Sequence, residues 1–370
     1  MSQTDFGALS EARKRVWAAE VWQAGRDQAF WFANGMIGKN DADMNKPIQR
    51  ITKLTETERG TECVMQLVLD MQNDGIVDDV TLTGNEEALT NDTQTIKISM
   101  LRHGVKNKGE MAEQATVIRF RATAKEKLAF WMADKLDELM FLVASGRAFT
   151  LKTDGATRTS SNLPSLAFAG DVVAASTARI IHAGSATSEA TITANDKMSW
   201  DVLVKAKAKA KRSKVRPIRD GGKEYHVVLL SSEQERDLLL DPTYQTIVKS
   251  AEARGKGNPL FTGALATVQG LTIHSHNKVF NTLGLASGSR WGSGSTIHGA
   301  QALMLGAQAV GLALLGNVFM READITDYGN QPGLAAGRKF GMLKPQFTSR
   351  ADANTTEDFG VISIKTAAAA

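Results

Sequence analysis

The 370-residue sequence predicts an α+β fold, because strand-like and helix-like apolar patterns occupy separate parts of the chain. In TECVMQLVLDM (61–71) and TQTIKISM (93–100), apolar residues fall on alternate positions, which is typical of half-buried strands. Between 123 and 145 they recur at three- and four-residue steps, the period of an amphipathic helix. The chain is also longer than a single core usually organises, so we expect more than one domain.

The first predicted element is an amphipathic helical arm over residues 9–37. It contains Trp17, Trp22 and Trp31, three of the six tryptophans of the chain. Aromatic side chains dominate the energetics of many protein interfaces, so these tryptophans are candidate contacts with a neighbouring subunit. The alternative is a helix docked on its own domain, and the sequence leaves both open.

A polar, acidic and turn-rich connection joins the two strand patterns at residues 72–92. A connection of this length is uncommon inside a compact domain, so we expect it to project as a flap that requires a partner surface. Catalytic carboxylates need a cleft that separates their pKa values, which a projecting tip does not offer, so the acidic pairs of the flap are candidate inter-subunit contacts. These pairs are Asp78, Asp79, Glu86 and Glu87.

The clearest helix follows. Thr123 and Glu126 have the spacing of a capping box, which predicts the helix start, and Gly146 predicts its end. Asp137 and Glu138 are expected to lie largely away from the apolar stripe. The stripe consists of Leu128, Met132, Leu136, Leu139 and Val143.

The segment VKAKAKAKRSKVRPIR (204–219) carries eight basic residues and no acidic one. Without it the chain has 36 basic and 40 acidic residues, so the formal net charge of +4 is a local property of this segment. Alanine and lysine favour helix over strand. We therefore expect a helix with an apolar seam against a sheet and with lysines on both flanks.

In that helix Lys205 and Lys209 line one flank, and Lys207 and Lys211 line the other. A track for phosphate groups would gather its charges on one side, so we favour contacts with neighbouring subunits over contacts with DNA. The basic cluster that faces either partner comprises Lys205, Lys207, Lys209, Lys211 and Arg212.

Motifs for catalysis and cofactor binding are missing from the sequence. There is no phosphate-binding GxxxxGK[ST] loop, no GxSxG elbow, no HExxH and no cysteine pair, since Cys63 is the only cysteine. His274 and His276 have the spacing of metal ligands on one strand face, but ordinary polar strand residues are the better interpretation. We expect no catalytic residues, metal or cofactor.

The longest apolar stretch, 302–316, is shorter than a membrane span, and we expect no membrane contact.

Four strings, in this order along the chain, resemble the coat proteins of a podophage branch of the HK97-like major capsid proteins. They are LTGNEEALTNDTQTIKISMLRHGVKNKGEMAEQ (82–114), GNPLFTGALATVQGLTIH (257–274), ITDYGNQPG (325–333) and FGVISI (359–364). The resemblance extends over roughly residues 10–365.

The resemblance implies an HK97-like fold with an N-terminal arm, an extended hairpin loop, a peripheral domain with a long spine helix, and an axial domain. The implied division of the chain has five parts. Residues 1–50 are the arm, 51–118 the extended loop and start of the peripheral domain, 119–149 the spine helix, 150–315 the axial domain, and 316–370 the C-terminal strands that complete the peripheral domain.

The resemblance also implies a structural role in the capsid of a tailed bacteriophage, by self-assembly of pentamers and hexamers around packaged double-stranded DNA. Portal, scaffolding and decoration proteins are the implied partners, and the host cytoplasm is the implied location before assembly. One alternative is a nucleic-acid-binding protein that acts through residues 204–219. An enzyme of unrecognised class is the other, and the lack of converging catalytic motifs argues against it.

Overall fold

The computed structural model describes residues 30–52, 60–68, 71, 74–89, 91–114, 120–220, 222–250, 266–323, 330–349 and 355–368. The α-helices in these ranges are α1 Phe30–Ala33, α2 Glu110–Gln114, α3 Phe120–Ser145, α4 Trp200–Arg212, α5 Ser232–Leu240 and α6 Pro242–Ser250. The strands of the first half are β1 Ile48–Ile51, β2 Glu62–Val68, β3 Asn91–Lys97, β4 Ser99–Lys106, β5 Ile180–His182, β6 Ile218–Asp220 and β7 Lys223–Leu230. Those of the second half are β8 Ala266–Val268, β9 Leu271–Ser275, β10 Gly299–Leu305, β11 Val310–Ala323, β12 Gly333–Leu343, β13 Gln346–Ser349, β14 Thr355–Asp358 and β15 Val361–Ala367.

A four-stranded sheet of order β1-β11-β12-β4 packs against the long helix α3. Strand β1 runs parallel to β11, and the other two pairings are antiparallel. Apolar residues of the sheet, such as Leu312 and Met342, share one buried core with Met132 and Leu139 of the helix. The whole predicted stripe of the helix is buried, which confirms that interpretation.

Helix α3 differs from its predicted form in two respects. It already includes Phe120, so Thr123 lies inside the helix and the predicted capping-box start is wrong. Asp137 and Glu138 are buried, with exposures of 3% and 7%, because further chain segments cover that side of the helix. The predicted end at Gly146 is confirmed: its φ is +65°, a left-handed conformation that favours glycine.

A seven-stranded sheet forms the second layer. Its order is β5-β15-β10-β7-β9-β8, with β6 paired to β7. Helix α4 covers one face, where Val202, Leu203 and Ala206 share a buried core with Val228 and Met304 of the sheet. This helix and its apolar seam confirm the helical interpretation of the basic segment, and the helix ends at Arg212.

The last strand, β15, lies inside the seven-stranded sheet, between β10 and β5. Its segment was expected to complete the domain of the long helix, so this placement differs from the expectation for residues 316–370. The reason is that Val361, Ile362 and Ile364 are all fully buried, and a strand that is apolar on both faces belongs in the interior of a covered sheet.

Candidate assembly surface

The flap is the end of a hairpin, and its tip is exposed. Strands β2 and β3 pair antiparallel from Glu62–Lys97 to Val68–Asn91, and residues 74–89 extend beyond them. Eight large apolar side chains of this region are at least 36% exposed, which is unusual for residues of this type. They are Val64, Val68, Met71, Ile76, Val77, Val80, Leu82 and Leu89.

The charges of the flap tip are all negative. Residues 74–89 contain five carboxylates and no lysine or arginine. Asp78 lies in a turn with a positive φ of 55°, Asp79 follows it, and both are exposed. Glu86 is exposed and accepts a 2.7 Å hydrogen bond from the backbone N–H of Gly84, and Glu87 is half-buried. The structure thus brings the four predicted acidic residues onto one projecting segment.

The root of the flap is fixed to the four-stranded sheet. Half-buried Cys63 and Met65 of β2 pack with Ile51, Ile96 and Leu343 in a small core, as the alternating pattern predicts. Residues 93–100 do not form a single strand, however. Ile98 separates β3, which belongs to the flap, from β4, which belongs to the sheet.

Two contacts hold this root in place. A Cβ on Gly341 of β12 would collide with the carbonyl oxygen of Lys97 at the end of β3, so a glycine allows the two strands to approach closely. The ammonium group of Lys97 forms a 3.0 Å ion pair with Asp171. A rigid root therefore carries an apolar, acidic tip.

Trp31 packs into its own chain. It is 1% exposed, and its ring lies 4.7 Å from that of Phe141 on α3. The backbone N–H of Phe30 donates a 2.6 Å hydrogen bond to Asp137. This geometry favours the docked alternative for Trp31, whose ring is not available to a neighbouring subunit. Trp17 and Trp22 lie outside the described residues.

Asp137 is a buried carboxylate at this docking site. Burial raises its pKa to about 6, although hydrogen bonds from the Phe30 and Trp31 backbone and the charge of Lys278 oppose the rise. His274 and His276 lie beside the Phe30 ring, with ring centroids 6.2 and 4.7 Å away. Their positions are explained by aromatic packing.

In the described part of the chain, no three His, Cys, Asp or Glu side chains are placed to hold a metal ion.

The basic cluster is split by its intramolecular contacts. Lys209 Nζ donates a 2.8 Å hydrogen bond to the carbonyl oxygen of Ile180, and Lys207 Nζ donates to that of Gln269. Lys205 forms a 2.6 Å ion pair with Asp201 one turn earlier on α4. The last two members of the predicted cluster, Lys211 and Arg212, are exposed at the end of the helix. The lysines do lie on two flanks, as predicted.

Comparison with known proteins identifies the family. The model of the phage capsid protein family matches residues 7–370. The major capsid protein of Pseudomonas phage KPP25 is 40% identical over 375 residues, a match that covers 99% of this chain and 98% of the relative. The chain belongs to the phage capsid protein family.

Solved structures of phage capsids share the fold. The capsid of Ralstonia phage GP4 matches with a TM-score of 0.79 at 26% identity. The match covers 100% of this chain and 99% of the GP4 chain. The capsid of cyanophage Pam1 has a TM-score of 0.73 at 18% identity, with 99% and 100% covered, and shows the fold alone. The expected HK97-like α+β fold and the structural role in a virion capsid are thereby confirmed.

Several buried charges of this capsid protein escaped the sequence analysis. Arg179 and Glu357 form a 2.8 Å ion pair with exposures of 1% and 4%, and Lys344 and Asp358 form a 2.9 Å pair with exposures of 1% and 0%. The two residues of each pair are 178 and 14 positions apart in the chain, and neither pair has a spacing that marks it in the sequence.

Within the described ranges, no helix combines the length and apolarity that a membrane span requires.

Proposed function

We propose that copies of this chain join into the pentamers and hexamers of an icosahedral shell when the flap of one copy covers the next. The observation that carries the proposal is the set of eight exposed apolar side chains between residues 64 and 89. A monomer gains nothing from apolar residues on a projecting hairpin, whereas a second copy buries them.

The size of the apolar contribution fits a reversible assembly. Full burial of a valine or leucine side chain contributes about 1.5–3 kcal/mol. Val77, Val80, Leu82 and Leu89 are each at least 59% exposed, so one flap brings several kcal/mol to a contact. Association costs part of that gain, which leaves each contact weak, and repetition over many subunits makes the closed shell stable.

The remaining expectations extend this proposal. The shell encloses double-stranded DNA, and portal, scaffolding and decoration proteins join it after synthesis in the host cytoplasm. The subunit acts without catalysis or a cofactor. Trp17 and Trp22 contact a neighbour, and the five chain segments 1–50, 51–118, 119–149, 150–315 and 316–370 serve as arm, extended loop, spine helix, axial domain and C-terminal strands.

A nucleic-acid-binding function through residues 204–219 has less support. Lys207 and Lys209 each donate a hydrogen bond within the chain, and Lys205 has an acidic partner. Arg216 and Arg219 also bond within the chain, so of the eight basic residues in this segment Lys211, Arg212 and Lys214 remain exposed without a partner among the described residues. Three cations are fewer than the six to ten phosphate contacts typical of tight, salt-sensitive DNA binding.

The test is electron microscopy and gradient sedimentation of the full chain produced together with its phage assembly proteins. Shells of uniform diameter are expected for the natural sequence. Replacement of residues 72–90 by a two-residue turn, which keeps β2 and β3, is expected to leave a soluble, folded subunit that forms no shells. Shells of normal yield from this variant would overturn the proposal.

A point variant and a matched control sharpen the test. Val77→Asp with Leu82→Asp places charge on the apolar tip and is expected to abolish shells. Val173→Asp alters an exposed valine outside the flap, 45% exposed, and is expected to assemble normally. Equal loss of shells in both would show that any new surface charge blocks assembly and that the flap has no special role.

A further inference from the structure

The four-stranded sheet has two unlike faces along its strands β4 and β12. Leu101 of β4 and Phe340 of β12 point to the long helix α3 and share its buried core. The residues at the alternate positions point away from the helix, onto an outer face. On β4 and β12 the outer face carries one large apolar and three basic side chains, which are Met100, Arg102, Lys106 and Lys339.

The root of the flap covers one end of this outer face and leaves the other end open. Ile96 of β3 packs with Ala313 of β11, which lies opposite Gly341 of β12. Two positions along β12 on the same face, Lys339 is exposed, and Met100 opposite it is 43% exposed. The outer face therefore packs against a flap hairpin of its own chain at one end and continues beyond it as an open surface.

The charges of the open part are all positive. Neither β4 nor β12 contains an aspartate or glutamate. Among the described residues, no hydrogen bond or ion pair involves the side chains of Arg102, Lys106 or Lys339. Arg102 is diagonal to Lys339 across the ladder, at about 7–8 Å, and Lys106 lies four residues further along β4, at about 13 Å. The three cations thus form an unpaired row along the sheet.

We propose that the outer face of β4 and β12 receives the flap tip of a second copy, whose carboxylates pair with Arg102, Lys106 and Lys339. The inference rests on the proposed function, because it names the surface that the flap covers. Charge complementarity supports it: residues 74–89 carry five carboxylates and no lysine or arginine, and Asp78 and Asp79 are both exposed. Complementary charges of this kind set the orientation of two partners in assembly.

The apolar parts of the two surfaces also match. Gly337 of β12 lies opposite Arg102, so no side chain rises from the sheet between that arginine and the next strand. A hairpin can therefore approach the backbone closely there. Met100 can adapt its flexible side chain to a partner, and the exposed Val77 and Val80 of the flap need such a partner.

The flap suits this face better than a nucleic-acid backbone does. Three cations are fewer than the six to ten phosphate contacts typical of tight, salt-sensitive DNA binding. A phosphate backbone would also leave Met100 and the apolar side chains of the flap without a partner, whereas one flap tip covers the methionine and pairs with the cations at the same time.

The first experiment reverses two of the charges. The test variant carries Arg102→Glu and Lys339→Glu, and the matched control carries Lys152→Glu and Lys223→Glu, two exposed lysines outside the four-stranded sheet. Denaturant unfolding of the full-length, unassembled subunit is expected to show the natural midpoint for both variants. The concentration needed for shell assembly is expected to rise about tenfold or more for the test variant and to stay unchanged for the control.

A charge exchange identifies the partner. Combination of Arg102→Glu and Lys339→Glu with Asp78→Lys and Asp79→Lys in the same chain is expected to restore assembly. A lowered unfolding midpoint in the test variant would show that the cations act within the subunit and would overturn the inference. Unchanged assembly, failure of the charge exchange, or a loss of packaged DNA from intact shells would also overturn it.

These outcomes separate this inference from the proposed function. If removal of residues 72–90 abolishes shells while the variant with Arg102→Glu and Lys339→Glu assembles normally, the flap is an assembly element and its docking site lies elsewhere. If shells form without the flap, the proposed function itself fails.

Discussion

Lys207 and Lys209, two residues apart on α4, donate hydrogen bonds to opposite sides of the seven-stranded sheet. Lys209 reaches Ile180 on the edge strand β5, and Lys207 reaches Gln269 in the turn that joins β8 to β9 at the other edge. Side chains on a helix point in nearly opposite directions at this spacing, so the pair spans the sheet from a central position. The alternation of alanine and lysine thus fixes the helix on its sheet.

This arrangement predicts that the lysines of α4 differ in their effect on stability. Lys209→Met removes the hydrogen bond that the Ile180 carbonyl oxygen accepts. This is expected to lower the free energy of unfolding by about 0.5–1.5 kcal/mol. Lys211→Met changes an exposed side chain and is expected to stay within about 0.5 kcal/mol of the natural sequence. Denaturant unfolding of the unassembled subunit measures both. Equal effects in the two variants would contradict the role of Lys209 as an anchor.

A second prediction concerns Asp137 and pH. Its pKa in the folded chain is about 6, above the usual value of 3.8, so between these two values the folded state binds a proton that the unfolded state does not. The contribution of this group to stability is therefore greatest at low pH and falls by about 3 kcal/mol as pH rises from 4 to above 6. Asp137→Asn keeps an oxygen acceptor for the Phe30 N–H and removes the titration, so this part of the pH dependence should vanish.

The measurement is the free energy of unfolding at about pH 4.5, 6 and 7.5. His274 is expected to act in the opposite sense, because burial lowers its pKa and acidification then costs stability. It remains in both proteins, so the difference between natural sequence and Asp137→Asn isolates the carboxylate. Asp79→Asn, which removes an exposed carboxylate of the flap, is the control for the loss of one charge. Parallel pH curves for natural sequence and Asp137→Asn would refute the prediction.

The sequence predicts those elements whose residues carry a local periodic signal. The stripe from Leu128 to Val143, the seam of α4 and the alternation of Cys63 and Met65 all appear as predicted, because one face of each element is buried. The predicted start of α3 was wrong because a capping-box pattern at Thr123 is equally compatible with the interior of a helix. A local rule cannot exclude a longer helix.

Features that depend on distant segments left no signal. Asp137 was expected on the outer side of α3, but the segment that begins at Phe30, 107 residues earlier, covers it. Strand β15 was assigned to the wrong layer because a short apolar strand fits the interior of any covered sheet.

A third prediction tests the root of the flap. Gly341→Ala places a Cβ against the carbonyl oxygen of Lys97 and pushes β3 away from β12, so it is expected to destabilise the subunit by about 1–3 kcal/mol and to reduce shell yield. Gly170→Ala is the matched control, because a Cβ there meets no atom within 4 Å. Thermal unfolding and gradient sedimentation check the two effects. Unaltered stability in Gly341→Ala would show that the strands separate at no cost.

The last prediction concerns the buried pair Lys344–Asp358, whose charged atoms lie 2.9 Å apart with exposures of 1% and 0%. Burial lowers the pKa of Lys344, and the charge of Asp358 opposes that shift. Lys344→Met leaves the carboxylate of Asp358 uncompensated in the interior and is expected to cost about 3–5 kcal/mol. Asp358 also accepts 3.1 Å and 2.8 Å hydrogen bonds from Ser176 N–H and from Gln346, so Asn is the replacement that retains an acceptor there.

A double-mutant cycle separates the pair from its surroundings. The variant with both Lys344→Met and Asp358→Asn is expected to lose less stability than the sum of the single variants, because no unpaired charge remains buried. The exposed pair Arg219–Glu224, at 3.0 Å and with exposures of 72% and 52%, provides the comparison and should show a coupling of about 0–1 kcal/mol. Additive losses at Lys344 and Asp358 would mean that the two charges are independently solvated. A coupling well above that of the exposed pair would show that Lys344 and Asp358 stabilise the chain as a pair.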